Sequence, residues 1–97
     1  MDDEQKLKLL KQISDPLEVQ SRLKKYGIDK VYVSTRKDKK YMIKLDDGKI
    51  IHFGQMGYED ATKHKDKQRI LNFKSRNAKW ADSPKFSPAW ISYHILW

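Results

Sequence analysis

Apolar positions along this chain change their spacing twice, from helical to alternating and back. Between Glu4 and Ile13, Leu7, Leu10 and Ile13 recur on one helical face, which predicts a helix over 4–13. Ser14-Asp15-Pro16 then stops one helix and starts another. Asp15 suits the N-cap, Pro16 the first helical position, and Glu18 the third, from which its carboxylate can reach back to the cap. Val19, Leu23 and Tyr26 give this second helix an apolar stripe, and Gly27 fits the left-handed residue beyond its end. From Ile28 the period shortens to two. Val31, Tyr32 and Val33 predict a short strand ending near Thr35, and Arg36-Lys37-Asp38-Lys39 a polar turn. Tyr41, Ile43 and Leu45 alternate with Met42 and Lys44, Asp46-Asp47-Gly48 supplies a hairpin turn, and Lys49 to Phe53 is the return strand. The helical period returns over Lys65–Arg76, a basic helix with Ile70, Leu71 and Phe73 on its narrow apolar side. A loop over 81–88 follows. Ser87 as cap and Pro88 as first residue open a last short helix, 88–96, with Trp90, Tyr93 and Trp97 at i, i+3 and i+7. The predicted class is α+β: one domain over 1–97, helical over 1–27, with a three-stranded antiparallel sheet and C-terminal helices over 28–97 packed on one face of the sheet.

Composition tightens this picture in two ways. A chain of 97 residues builds one modest core. With 35% charged residues it is polar for a folded domain, but 11% aromatics supply large buried area per side chain and argue against disorder; Phe73, Trp80, Trp90 and Trp97 are therefore expected in the core. The absence of Cys removes disulfides and thiolate-bound metals. The chain opens Met-Asp-Asp-Glu with no apolar run behind it, and no stretch approaches the roughly 20 apolar residues of a membrane span. A soluble protein, neither secreted nor transmembrane, is expected.

Charge is where the sequence becomes specific. The net +8 is uneven: residues 1–30 and 31–60 carry +1 each, whereas residues 61–97 carry eight cations against two carboxylates. A concentrated basic block points to a polyanionic partner more than scattered Lys does. Lys63, Lys65, Lys67, Arg69, Lys74, Arg76 and Lys79 are the expected phosphate contacts, and Lys37, Lys39 and Lys40 extend the patch from the predicted turn. Such contacts release counterions and read no bases. With the aromatics assigned to the core, binding along the nucleic-acid backbone is expected rather than base stacking. No recognition-helix, zinc-finger or ribonucleoprotein signature is present.

Other chemistry is less well supported. His52, Glu59, Asp60, His64 and Asp66 are residue types that hold metals or move protons, and a metal-dependent nuclease would use such groups. Their spacing fits no metal motif. His52 alternates with apolar neighbours, and Glu59-Asp60 stands where carboxylates cap helices. Gly54–Gly57 lacks the Gly-Lys-Ser/Thr ending of a phosphate loop. No catalytic residue, cofactor or metal is expected.

Lys40-Tyr41, Ile51-His52-Phe53-Gly54, Tyr58-Glu59-Asp60, His64-Lys65-Asp66, Arg69, Phe73, Arg76, Trp80 and the closing Ser92 to Trp97 resemble a group of small uncharacterised basic proteins of large DNA viruses of protists, over about 60% of the chain. That family carries a His where this chain has Asn77, so any role of that His is missing here. The resemblance implies a viral setting: nucleic-acid binding in genome packaging or a viral factory, in the virion or the host cytoplasm, with DNA ahead of RNA as partner. It fits equally a structural virion or minor capsid subunit that binds other virion proteins. The hairpin followed by Gly54-Gln55-Met56-Gly57 bears a fainter similarity to WGR domains, whose Trp-Gly-Arg is absent.

Overall fold

Residues 3–97 are described by a computed structural model of the chain; Met1 and Asp2, the head of the segment 1–27, lie outside it. Two helices come first, α1 (Asp3–Ile13) and α2 (Pro16–Lys24). Asp15 caps α2 as expected, accepting from the Leu17 and Glu18 amides at 3.1 and 3.4 Å. Glu18 does not reach back to the cap. Its carboxylate points forward to Arg22, 3.1 Å away and one turn on, where opposite charges on a helix surface meet. Gly27 takes the left-handed conformation beyond α2, φ +84°. Leu10, Val19 and Leu23 are fully buried.

The sheet is an antiparallel meander of β1 (Tyr32–Val33), β2 (Lys39–Lys44) and β3 (Ile50–Gln55), in that spatial order. Tyr32 pairs with Met42, and Tyr41 lies opposite Phe53 with Ile43 opposite Ile51. Tyr41, Ile43 and Phe53 bury completely, and the Tyr41 and Phe53 rings stack at 5.5 Å. β3 runs two residues beyond the expected end. Its Gly54 holds φ +77° inside the strand, a conformation open to Gly at little cost. The β1–β2 turn is pinned from α1. The buried Lys6 ammonium donates to the carbonyls of Ser34 and Arg36, both at 2.7 Å. Burial lowers its pKa, partly offset by the charges of Asp3 and Asp38.

The C-terminal third departs most from expectation. The helix expected over 65–76 is α4 (Lys67–Arg76), which starts two residues later, and a short helix that was not expected, α3 (Ala61–His64), precedes it. Asp60 caps α3 through the Thr62 amide. Lys65 is left-handed at φ 52°, and Asp66 caps α4 by accepting from the Gln68 and Arg69 amides. An Asp side chain offers the backbone an alternative to continuing the helix, so it starts a new one. A 3-10 turn, Ala78–Asp82, occupies the start of the expected loop. Then α5 (Pro88–Ile91), capped by Ser87, runs into a π-helical turn, Ser92–Leu96. The inward residues of this last segment are Trp90, Ile91, Ile95 and Leu96, while Tyr93 and Trp97 are half-buried. Arg22 ties it to α2, donating to the Ile95 carbonyl at 2.7 Å.

One buried polar network joins the halves. The Tyr41 hydroxyl donates to Ser14 Oγ at 2.7 Å, Ser14 Oγ lies 3.1 Å from Thr62 Oγ1, and Thr62 donates to Asp60 Oδ1. Lys40 Nζ reaches the other Asp60 oxygen at 2.9 Å. Because the Thr62 proton goes to Asp60, Ser14 donates to Thr62, and every donor in the chain runs toward the one carboxylate. Burial raises the Tyr41 pKa, against the opposing hydrogen bond with Ser14. Among the described residues, no helix is long and apolar enough to cross a membrane.

Candidate nucleic-acid interface

The break at Lys65–Asp66 decides how the basic residues are displayed. Along α4, Lys67 and Lys74 are seven residues apart and share one face. Arg69, Phe73 and Arg76 share another at i, i+4 and i+7. The basic residues of α4 are thus divided between two faces. On the first, Lys67 is exposed and Lys74 sits 5.1 Å over the Tyr93 ring. On α3 and the following turn, Lys63 and Lys65 are exposed, as is Lys79 on the 3-10 turn.

The second face lines an open groove of about 630 Å³ between α4, the end of β3 and the last helix. Lys39 reaches it from β2, and Trp80 and Tyr58 line it too. Phe73 stacks flat on Trp97, ring centres 4.3 Å apart with planes 4° from parallel, and meets Trp80 edge-on at 5.8 Å. His64 continues the row at 5.0 Å from Trp97. Glu59 pairs with Arg69 at 2.9 Å on the groove wall.

Three expected assignments are corrected here. Lys40 is no surface cation: only 2% exposed, it is locked to Asp60. A buried ammonium needs that partner, because an unpaired charge out of water is costly. Neither Trp80 nor Phe73 is a core residue: Trp80 is 37% exposed, Phe73 is half-buried, and both line the groove, whereas Trp90 does bury. Lys37 is exposed on the β1–β2 turn, apart from Lys39 in the groove.

The five acid–base candidates do not converge. Nδ1 of His52 lies 2.7 Å from Ser34 Oγ, Glu59 binds Arg69, Asp60 is inside the network, and Asp66 caps α4. His64 Nδ1 accepts from the Asp66 amide at 2.9 Å, and its Nε2 is buried with no hydrogen-bond partner among the described residues. Desolvation, reinforced by the Arg69 charge, lowers the His64 pKa and favours the neutral ring. Among the described residues, no group of three or more His, Asp or Glu is placed to hold a metal.

Tyr58 and Trp80 were missed as groove residues. For Trp80 a signal was there: 69, 73, 76 and 80 continue one helical stripe across Asn77. Tyr58 had none, because a loop has no periodicity to read.

Residues 30–77, just under half of the chain, match the model of DUF5754, a family of unknown function. The match runs from before β1 to the end of α4. It contains Lys39, Lys40, Tyr58, Asp60, Arg69, Phe73 and Arg76, and excludes Trp80 and Trp97. It carries no ligand, activity or source. No curated protein and no solved structure matches the chain.

Proposed function

We propose that this domain binds nucleic acid through its phosphates, with DNA the expected form and the packaging or factory setting implied by the viral resemblance. The observation that carries the reading is the state of the cations after Asp60. Lys63, Lys65, Lys67, Arg76 and Lys79 are exposed, and among the described residues none has a carboxylate at ion-pair distance. Arg69 is the one member of the predicted set there that is neutralised by a neighbour. Exposed cations without a carboxylate partner are what phosphate neutralisation uses, and they contribute little to the stability of the domain itself.

The test is duplex DNA affinity as a function of salt. Three to five phosphate contacts give a log–log slope of about −3 to −4.5. Lys67→Ala is expected to flatten the slope by about one unit, similarly for unrelated sequences, with the melting temperature unchanged. Absence of binding at low salt would remove the reading and leave these side chains as a solvated face.

A further inference from the structure

The groove beside α4 combines features that a phosphate-tracking surface does not require. Tyr58 is 68% exposed and has no ring contact or side-chain hydrogen bond among the described residues. Trp80, also partly exposed, is backed by Phe73 and, through it, Trp97, so its position is supported by a row of packed rings. Leaving Tyr58 largely, and Trp80 in part, in water costs a small domain core area it needs. The cations beside them are complementary to an anion. Among the described residues Arg76 has no carboxylate partner, Lys39 enters from β2, and Glu59, the acidic residue on the wall, is neutralised by Arg69. At about 630 Å³ the groove falls within the range of small-ligand sites.

We propose that this groove takes an unpaired nucleobase of a single-stranded nucleic acid, stacked against Tyr58 and Trp80, with the adjoining phosphates on Arg76 and Lys39. The proposal rests on the phosphate-binding reading and adds to it a preference for single strands. A π-face satisfies any base, so the preference carries little sequence information. In a duplex the bases are stacked on each other and closed to the groove. Duplex is then held through its phosphates by the exposed cations, Lys63, Lys65, Lys67, Arg76 and Lys79, with no base in the groove. An acidic peptide would use the same cations but would leave the rings without a stacking partner.

The experiment is fluorescence anisotropy with the full chain, a labelled oligothymidylate and a duplex of equal length, at low salt. Tyr58→Ala and Trp80→Ala are each expected to weaken oligothymidylate binding by about 5- to 150-fold, the loss that removal of one stacking ring produces, and to leave duplex affinity unchanged. Trp80→Phe should restore most of the loss. Tyr58 is so exposed that its variant keeps the fold, which a thermal melt checks; it therefore decides the matter if Trp80→Ala unfolds. Equal, undiminished single-strand binding by the Tyr58→Ala variant would overturn the groove proposal while leaving phosphate binding in place. Displacement of oligothymidylate by polyglutamate at lower concentration than by unlabelled oligothymidylate would overturn it in favour of an acidic peptide. Failure of the unsubstituted protein to bind either polymer would overturn the phosphate reading itself.

Discussion

Gly54, Lys40 and Asp60 show how one residue's missing side chain sets the position of another's charge. A Cβ on Gly54 would lie 3.0 Å from Leu96 Cδ1 and 3.2 Å from Lys40 Cβ, on a backbone at φ +77°. Its absence lets the Lys40 stem pass and its ammonium meet Asp60. Gly54→Ala is expected to destabilise by about 1–3 kcal/mol through strained backbone and to exceed Gly27→Ala, where φ is similar but nothing lies within 4 Å; urea unfolding of both variants measures the difference. Lys40→Met should cost more, about 3–5 kcal/mol, because it leaves Asp60 buried and unpaired. It should not alter the salt dependence of duplex binding, which separates a structural lysine from a phosphate-binding one. His64 makes a third case. Its folded pKa lies below the ordinary value near 6.5, from burial and the Arg69 charge, so the folded state binds fewer protons than the unfolded state. The stability this represents is intact above about pH 6.5 and is lost as pH falls through the folded value. His64→Asn, which keeps an acceptor for the Asp66 amide, is expected to weaken that acid-side dependence; melting temperatures of both proteins between neutral and mildly acidic pH provide the check.

At the level of elements, the informative feature is the short helix α3 and the left-handed turn that precede α4. Hydrophobic periodicity over 65–76 is continuous, and it gives no sign that Lys65 turns left-handed. Asp66 was visible as a cap type, but in a run with Lys on both sides it reads equally as a surface carboxylate. The turn at Lys65–Asp66 separates Lys63 from α4, whose face of Arg69, Phe73 and Arg76 lines the groove. Asp66→Ala is expected to cost about 0.5–2 kcal/mol by removing the cap and to reduce helicity in circular dichroism. The last helix shows the opposite balance. Its start at Ser87-Pro88 was legible from local chemistry, whereas its buried face is Ile91 and Ile95 with Trp90 and Leu96, not the Trp90–Tyr93–Trp97 spacing. The π-helical turn at Ser92–Leu96 shifts the angular register, so a count at 3.6 residues per turn places the wrong residues inward.

For the whole molecule, the C-terminal segment closes a core shared by the first helices and the sheet. Leu10, Val19 and Leu23 come from the first helices, Tyr41, Ile43 and Phe53 from the sheet, and Trp90, Ile91, Ile95 and Leu96 from the end. Fully burying each large side chain stabilises by roughly 1.5–3 kcal/mol, against a total of about 5–15 kcal/mol for a domain. Deletion of 90–97 is therefore expected to unfold the protein, read as loss of the cooperative thermal transition. The α+β class, the meander with its Asp47-Gly48 turn, and the starts of α2 and α5 were all present in the amino-acid order, because alternation, caps and turns act between residues a few positions apart. The exposed state of most of the basic block was legible in the same way, since long charged side chains stay in water unless paired. Only the assembled fold decided which lysine is the exception. Lys40 and Asp60 are twenty residues apart, and their burial together depends on Gly54 and Leu96, which local patterning does not connect. The groove arose in the same manner: Phe73 and Trp80 share a helical spacing, but Tyr58 from the loop after β3 and Trp97 from beyond the last helical turn join them only through the tertiary fold.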